Sequence, residues 1–186
     1  MESKFHKYNE TNAPGDSVNQ NENLISEKHE LHAYKKKHLL YSVGQRPSTL
    51  YFVKSGKIKE FLINEEGKEL ITGIYTVGDF FGYNEIFKEC NYGKNAKVIE
   101  DATLILVPKD EFLQKIHSDT IVAREFISLL TKNVTDNEEV LLNMAYNSLR
   151  KKVAQGITRI IDKFNDMKDG QHFIDISRED LASVVG

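Results

Sequence analysis

The first half of the chain alternates short apolar runs with glycine-containing turns. The runs cover residues 39–41, 50–53, 58–63, 70–75, 80–81 and 103–107, and they are rich in aromatic and β-branched residues. Asn64-Glu65-Glu66-Gly67, which lies between two of them, has the composition of a hairpin loop. Many short strands at fairly even spacing predict an antiparallel β-roll of the double-stranded β-helix or jelly-roll type.

After Pro108 the apolar period changes from two to about 3.6 residues, which predicts helices over residues 109–117, 119–146 and 150–164. The long middle helix carries residues spaced alternately by three and four, as in a coiled coil: Ile127, Leu130, Val134, Asn137, Leu141 and Met144. This spacing predicts a parallel homodimer in which a buried Asn137 fixes the register. The alternative is a helix that packs on its own β-domain. A helix of roughly thirty residues, at about 1.5 Å per residue, is however longer than the small β-domain on which it would pack.

The last segment has the pattern of a capped amphipathic helix. Residues 166–170 predict a turn and 173–176 a short strand, and Ser177 follows with a side chain that suits an N-cap. Glu179 complements the helix dipole, and Gly186 is a residue type that ends helices. The pattern predicts the first helix of a helix-turn-helix, with the DNA-reading helix expected beyond Gly186 and the DNA-binding domain therefore incomplete here. An ordinary packing helix is the alternative.

Composition narrows the classes of function. Of the 186 residues 40% are hydrophobic, and the net charge of −3 argues against a generally basic surface, so any DNA affinity must come from a local patch. Cys90 is the single cysteine, which excludes an internal disulfide and a cysteine-ligated cluster. Neither a catalytic motif nor a metal-ligand spacing is evident, so we expect no enzyme activity, metal or cofactor. Without a membrane-length apolar run or a signal-peptide core, a cytoplasmic protein is expected.

Three stretches, in order along the chain, carry a family resemblance: Glu65-Glu66-Gly67-Lys68-Glu69 with Gly78-Asp79-Phe80-Phe81-Gly82, then Asn143-Met144-Ala145-Tyr146 with Arg150-Lys151-Lys152-Val153-Ala154, then residues 176–186. From residue 31 onward the chain resembles the Crp/Fnr family of bacterial transcription regulators. The resemblance implies an α+β fold with a polar leader (1–30), a cyclic-nucleotide-binding-like β-roll (31–117), a dimerisation helix (118–147) and the first part of a winged helix-turn-helix domain (148–186). It implies DNA, RNA polymerase, a second copy of the chain and a small-molecule effector as partners, and no membrane.

The resemblance also raises the question of the effector. In the family's cyclic-nucleotide binders, a glutamate after the last glycine holds the ribose, and an arginine grips the phosphate with its bidentate guanidinium. Here Tyr83 stands at the glutamate position, Lys94 at the arginine position, and Asn137-Glu138 replaces the pair that meets the base. The implied effector pocket comprises Gly82, Tyr83, Asn84, Glu85, Lys94, Asn95, Ala96, Asn137 and Glu138. These departures predict an effector other than cyclic AMP, or a pocket filled by its own side chains such as Tyr83.

The resemblance further implies DNA contacts on the last two predicted helices, by Arg150, Lys151, Ser177, Arg178 and Glu179. The sequence therefore predicts an effector-responsive, dimeric, DNA-binding transcription regulator. Two alternatives stay open: a module that senses a ligand and dimerises without binding DNA, and the sensor domain of a larger signalling protein.

Overall fold

The computed structural model describes residue 25 and residues 29–164, 167–168, 171–172 and 177–185. Most of the predicted leader, the predicted strand over residues 173–176 and the helix-ending Gly186 lie outside the described residues. Eight strands and five helices are described: β1 (Leu31–Tyr34), β2 (Leu39–Tyr41), β3 (Thr49–Ile63), β4 (Glu69–Tyr75), β5 (Phe80–Phe81), α1 (Asn84–Lys88), β6 (Asn95–Pro108), α2 (Lys109–Ser118), α3 (Thr120–Tyr146), α4 (Leu149–Phe164), β7 (Met167–Lys168), β8 (Gln171–His172) and α5 (Arg178–Val185).

The first six strands form one antiparallel sheet, which we call the β-domain. The strand order is β1-β6-β3-β4, with β2 added to β6 and β5 added to β3. The two long strands pair along nearly their whole length, from Thr49 opposite Pro108 to Phe61 opposite Asn95. The antiparallel sheet that the short apolar runs predict is therefore present.

The structure corrects the predicted division of the longest strands. Residues 50–53 and 58–63, predicted as separate strands, are parts of β3, and the predicted strand at 103–107 is the second half of β6. The chain bends within β3 because Gly56 adopts a φ of +82° and the register shifts around it. A Cβ atom on Gly56 would lie 2.4 Å from the carbonyl oxygen of Asp101, so the bend requires glycine.

The alternation of side chains along the strands divides the apolar residues between two clusters. Leu50 and Phe52 belong to a cluster that faces the helices, together with Phe112 of α2 and Phe126 of α3. Val53, together with Ile58, Phe81 and Leu104, belongs to the other cluster. Because successive side chains of a strand point to opposite faces, one strand serves both clusters. The second cluster surrounds the site described below.

The long helix α3 begins with a side-chain cap and packs its first half on the β-domain. Oδ1 of Asp119 accepts hydrogen bonds from the backbone N–H groups of Ile121 (3.0 Å) and Val122 (3.2 Å). Val122 and Phe126 are buried, whereas from Thr131 onward every described side chain of α3 except Asn133 is exposed. Among the described helices, α3 included, none has both the length and the apolarity that crossing a bilayer requires.

The C-terminal elements lie against the β-domain. Ile160 of α4 is buried beside Ile99 of β6, and Leu181 of α5 packs against the same cluster. Oγ of Ser177 accepts from the backbone N–H of Asp180 (3.0 Å) and donates to its carboxylate (2.8 Å), so the predicted cap is present. The predicted turn at 166–170 is replaced in part by the β7–β8 pair.

Candidate functional site

A buried glutamate, Glu60, lies in a row of residues that crosses four strands. Tyr41 of β2 is opposite Ala96 of β6, Ala96 is opposite Glu60 of β3, and Glu60 is opposite Gly73 of β4. Directly opposed residues in antiparallel strands project from the same face of the sheet. Two small residues therefore flank Glu60 and leave room for larger side chains around its carboxylate.

Three donors surround the Glu60 carboxylate, whose side chain is only 3% exposed. The Tyr41 hydroxyl donates to Oε1 (2.6 Å), the Tyr75 hydroxyl donates to Oε2 (3.0 Å), and Nζ of Lys94 lies 3.3 Å from Oε2. A Cβ atom on Gly73 would lie 3.1 Å from the Tyr75 hydroxyl oxygen, so the glycine makes space for that ring. These hydrogen bonds and the Lys94 charge offset the hydration that a buried carboxylate loses, a cost of several kcal/mol.

The two tyrosines beside Glu60 are held in their protonated form. Burial raises the pKa of both Tyr41 and Tyr75, and the negative charge of Glu60 raises it further. Both hydroxyls therefore donate to the carboxylate throughout the neutral range. No sequence motif marks Glu60, Tyr41 or Tyr75. One sequence feature could have indicated Glu60: it alternates with Ile58, so an acidic residue falls on the face that is otherwise apolar.

Aromatic rings fill the space around this network. Tyr41 stacks on Tyr92 with ring centroids 3.8 Å apart, Tyr51 stacks on Phe81 at 4.9 Å, and Tyr75 stacks on Phe81 at 5.0 Å. The predicted possibility of a pocket filled by its own side chains thus fits this face of the sheet, although these rings rather than Tyr83 fill it.

Tyr83, which the sequence resemblance places at the family's glutamate position, links α1 to the long helix. Its ring is buried and packs edge-on against Phe126 with centroids 5.3 Å apart. Its hydroxyl accepts a hydrogen bond from Nδ2 of Asn133 at 2.6 Å. The preceding Gly82 has a φ of +79°, and a Cβ atom there would lie 3.1 Å from the Tyr51 ring. Tyr83 is therefore a structural contact between the residues that follow β5 and α3.

Asn84 and Glu85, the next two predicted pocket residues, differ in their surroundings. Asn84 is exposed at the start of α1, so the structure places it outside the interior. Glu85 is half-buried, and within the described part of the chain its Oε2 atom is buried without a hydrogen-bond partner. A buried charged acceptor in that condition costs about 1–3 kcal/mol or more.

The next three predicted pocket residues, Lys94, Asn95 and Ala96, also differ in their surroundings. Lys94 and Ala96 adjoin Glu60, as described above. The Asn95 side chain instead accepts a hydrogen bond from the backbone N–H of Val43 at 3.1 Å, at the edge of the sheet. Lys94, expected from the resemblance at the arginine position, therefore pairs with a carboxylate of its own chain.

Asn137 and Glu138, implied to meet a ligand from α3, are both exposed in the single chain. The contact from α3 to the predicted pocket residues comes instead from Asn133, one helical turn earlier. Sequence analysis missed Asn133 because its partner Tyr83 is fifty positions away in the sequence.

The predicted coiled-coil positions fall on two sides of α3. Ile127, Val134 and Leu141 are spaced by seven residues and are 62%, 57% and 65% exposed. Leu130 is half-buried and packs against the cluster that faces the helices. Leu130 therefore agrees with the alternative prediction, a helix that packs on its own β-domain. The side chain of Met144 lies outside the part of the chain that the structure describes.

The predicted DNA-contacting residues lie on α4 and α5. Arg150 and Lys151 are exposed in the first turn of α4, and Ser177 and Glu179 are exposed at the start of α5. Of Arg178 the structure describes the backbone position alone, as the first residue of α5.

A buried lysine, which sequence analysis missed, connects α5 to the β-domain. Lys59 of β3 is 5% exposed, and its ammonium group pairs with Glu69 of β4 at 2.5 Å and with Asp180 of α5. A second ion pair joins Lys163 of α4 to Asp79 at 3.2 Å. Beside Lys59 lies a groove of about 1010 Å³ between the β-domain and α5, whose lining includes Lys36, Lys37, Lys68, Lys97 and Ser183.

Within the part of the chain that the structure describes, no group of three or more His, Cys, Asp or Glu side chains is arranged to hold a metal ion. The Glu60 network and the Lys59 contact are two polar sites that the fold builds from distant residues. Stacked aromatic rings surround the first, and the second joins α5 to the β-domain.

Comparisons with known proteins identify the domain that the β-domain forms. Residues 31–119 match the model of the cyclic nucleotide-binding domain. An uncharacterized protein of Haemophilus influenzae is 35% identical over 89 residues, which cover 48% of this chain and 67% of that protein. The cAMP-activated global transcriptional regulator CRP of Salmonella typhimurium is 26% identical over 161 residues, or 84% of this chain and 75% of the relative.

A solved structure shows the same fold. A transcriptional regulator of the CRP/FNR family from Thermus thermophilus superposes with a TM-score of 0.69 at 18% identity, covering 84% of this chain and 78% of the other. The chain belongs to the Crp/Fnr family of transcription regulators, and its β-domain is a cyclic nucleotide-binding domain. The family predicted from the three sequence stretches is thus confirmed.

Proposed function

We propose that this chain is the sensing and dimerising part of a DNA-binding transcription regulator whose effector is not cyclic AMP. The proposed division is a sensor over residues 31–117, a dimerisation helix over 118–147 and a DNA-binding domain that begins at 148. One observation carries the proposal: α3 has two different faces. One face is buried against the sensor, and the opposite face exposes a row of apolar side chains.

The exposed row supports a parallel homodimer. Ile127, Val134 and Leu141 leave most of their apolar surface in water in the single chain, and their spacing of seven residues is that of a coiled-coil seam. Burying such side chains in a partner contributes about 1.5–3 kcal/mol for each one fully covered. Asn137, also exposed, then supplies the polar contact that favours one register.

Sedimentation equilibrium tests the dimer. We expect a mass twice the 21.3 kDa of the chain. Val134→Lys with Leu141→Lys should give monomer, because each dimer would bury four like charges at a cost of several kcal/mol. Ile121→Lys is the matched control, since Ile121 is 66% exposed on α3 but outside the row, and this variant should remain dimeric. If the wild-type chain sediments as a monomer at a concentration on the order of tens of micromolar, the proposal is refuted.

The interior chemistry supports an effector other than a cyclic nucleotide. A cyclic phosphate entering beside Glu60 would meet a buried carboxylate, and the ammonium group of Lys94 is already paired with it. The Tyr83 hydroxyl is engaged by Asn133 and offers no carboxylate to a ribose. Calorimetry with cyclic AMP should show no binding tighter than about 1 mM.

The DNA-binding role is supported by the exposed cations on α4 and the capped α5. Arg150 and Lys151 can contact phosphates, and Ser177 begins the first helix of the proposed helix-turn-helix. Arg178 and Glu179 would lie at that helix's first turn. Selection from random duplex DNA, with the chain extended through its natural reading frame, should enrich a two-fold symmetric site. A dimer that enriches no sequence would favour the ligand-sensing module without DNA binding.

A further inference from the structure

Two ion pairs and a small apolar cluster hold the C-terminal helices on the β-domain. The buried ammonium group of Lys59 in β3 pairs with Oδ1 of Asp180 in α5, whose side chain is only 17% exposed. Nζ of Lys163 in α4 lies 3.2 Å from Oδ2 of Asp79, and this pair is more exposed. The apolar cluster surrounds Ile160. Small contacts between two parts of one chain permit relative motion, so this attachment can open.

The carboxylate of Asp180 makes two contacts at once. While Oδ1 pairs with Lys59, Oδ2 accepts a hydrogen bond from the Ser177 hydroxyl at 2.8 Å. The backbone N–H of Asp180 donates to Oγ of the same serine at 3.0 Å. The residue that closes the first turn of α5 is therefore also the residue that fastens this turn to β3, and the ion pair fixes the direction in which the turn faces.

The two walls of the groove between the β-domain and α5 carry opposite charges. Among the described residues, the β-domain wall carries five lysines and one acid, Glu69, although the chain as a whole has a net charge of −3. The α5 wall carries the acids Glu179 and Asp180. Complementary potentials of this kind favour one docked orientation. The acidic first turn of α5 is thus matched to the basic wall that it faces.

The same first turn contains residues proposed to contact DNA. Ser177 and Glu179 line the groove opposite Lys36 and Lys37 of the β-domain. The first helix of a helix-turn-helix crosses the DNA backbone, so a duplex has to come up against this turn. The groove holds about 1010 Å³, the upper end of the range for small-molecule sites, and a duplex whose major groove alone is about 12 Å wide is too large to enter it. DNA contact by this turn therefore requires α5 to leave the β-domain.

We infer that the ion pair between Lys59 and Asp180 is an autoinhibitory latch that keeps α5 on the β-domain and away from DNA. In the closed latch the Asp180 carboxylate occupies the basic wall as a tethered anion. Release of α5 exposes its first turn to a duplex. This inference states how the proposed DNA binding is regulated and therefore rests on the proposed function.

The DNA affinity of Lys59→Met tests the latch. The chain is extended through its natural reading frame, and fluorescence anisotropy at one salt concentration measures binding to the labelled duplex that selection enriches. Lys59→Met should bind at least about tenfold more tightly than the wild type, because a larger fraction of the chain has α5 released. General electrostatics predicts the opposite, since each lost cation weakens the attraction to phosphates.

Lys97→Met is the matched control. Lys97 lies directly opposite Lys59 in the sheet, and the two ammonium groups lie 5.2 and 5.0 Å from the centroid of the Phe61 ring. Its ion-pair partner is Glu69, at 3.7 Å, and not Asp180. This variant loses the same charge with the latch intact, so its DNA binding should not become tighter.

Two further variants separate the latch from charge alone. Asp180→Asn should also tighten DNA binding, and the double variant with Lys59→Met should bind no more tightly than the better single variant, because one latch opens once. Lys163→Met should tighten binding by less than about fivefold, since its ion pair is exposed. Hydrogen exchange should accelerate over Arg178–Val185 but not over Thr49–Ile63, which establishes that the β-domain stays folded.

Two results would overturn the inference: DNA binding by Lys59→Met that is equal to or weaker than that of the wild type, or an equal gain in Lys97→Met. If the wild type selects a DNA site and Lys59→Met shows no gain, the latch alone is wrong. If neither the wild type nor Lys59→Met binds any duplex, the proposed regulator function fails together with the latch. Binding by Lys59→Met to a duplex that the wild type does not bind would support both.

Discussion

We predict that the ion pair between Lys59 and Asp180 stabilises the docking of α5 on the β-domain. Asp180→Asn removes the negative charge, while an amide oxygen at that position can still accept the hydrogen bond from the Ser177 hydroxyl. The change is therefore directed at the contact with Lys59 and leaves the helix cap in place. Glu179→Gln is the matched control, because Glu179 loses the same charge in the same turn but is exposed.

The size of the effect follows from the burial of Lys59 and its remaining partner. Lys59 is 5% exposed, and losing the only partner of such a charge costs about 3–5 kcal/mol. Glu69 still pairs with Lys59 in the variant, so the expected cost is that of one charge-assisted hydrogen bond, about 1.5–3 kcal/mol. The docking equilibrium of α5 should then shift by about 10- to 150-fold.

The protonation state of Lys59 sets the pH for the assay. Burial works to lower its pKa, but the hydrogen bonds and charges of Asp180 and Glu69 outweigh burial and raise it above 10.5. A raised lysine pKa contributes stability that is complete below the unfolded value and is lost as the pH rises through the folded value. At pH 7 the pair is fully charged, and only strong alkali should weaken it.

Amide hydrogen exchange over Arg178–Val185 measures the docking. Exchange should accelerate in Asp180→Asn by the factor given above, and in Glu179→Gln by no more than about fivefold, the contribution of a first-turn acid to the helix dipole. A double variant with Lys59→Met should show strong non-additivity with Asp180→Asn. Equal acceleration in the two single variants would refute the reasoning, because the helix dipole would then explain both.

Gly56→Ala should lower the free energy of unfolding in urea by about 3–5 kcal/mol, because the added Cβ would clash with β6. Gly67→Ala has a similar φ of +79° but open space around the Cβ, so it should lower that free energy by only about 1–2 kcal/mol. Equal losses in the two variants would contradict the clash. Burial raises the pKa of Tyr51 to about 12 from 10.0, so its neutral form stabilises the fold fully below pH 10 and this contribution is lost as the pH rises toward 12. Alkaline unfolding followed by phenolate absorbance should show this loss, and Tyr51→Phe should reduce it. Tyr83→Phe should cost about 0.5–1.5 kcal/mol in thermal unfolding, and adding Asn133→Ala should cost little more, since the two share one hydrogen bond.

Helices and caps were predictable from the sequence because their signals are local. The helices over 109–117, 119–146 and 150–164 differ from α2, α3 and α4 by one residue at an end, and the Ser177 cap is present. The strands were predicted less well. The bend at Gly56 resembles a turn in the sequence, but the pairing of β3 with β6 carries the strand through it.

The candidate site shows more clearly which contacts could not be predicted from the sequence. Gly82 to Glu85 and Lys94 to Ala96 were predicted from motif position, yet motif position could not show that Lys94 pairs with Glu60 or that Tyr83 bonds Asn133. Each of those partners lies tens of residues away, and the alternation of Glu60 with Ile58 indicates a buried acid without indicating its partner. The same holds for Leu130, because heptad spacing cannot tell a dimer contact from a contact with the chain's own core.

Period, caps, turn residues and family motifs are properties of neighbouring residues, and from them the sequence by itself indicated an antiparallel β-domain followed by helices, and the family. The tertiary structure alone decided which polar groups meet: Tyr41 with Glu60 across 19 positions, and Lys59 with Asp180 across 121. The physical reason is that buried charges are stable only where folding brings a partner to them, and that partner is selected by strand register and helix docking rather than by its place in the chain.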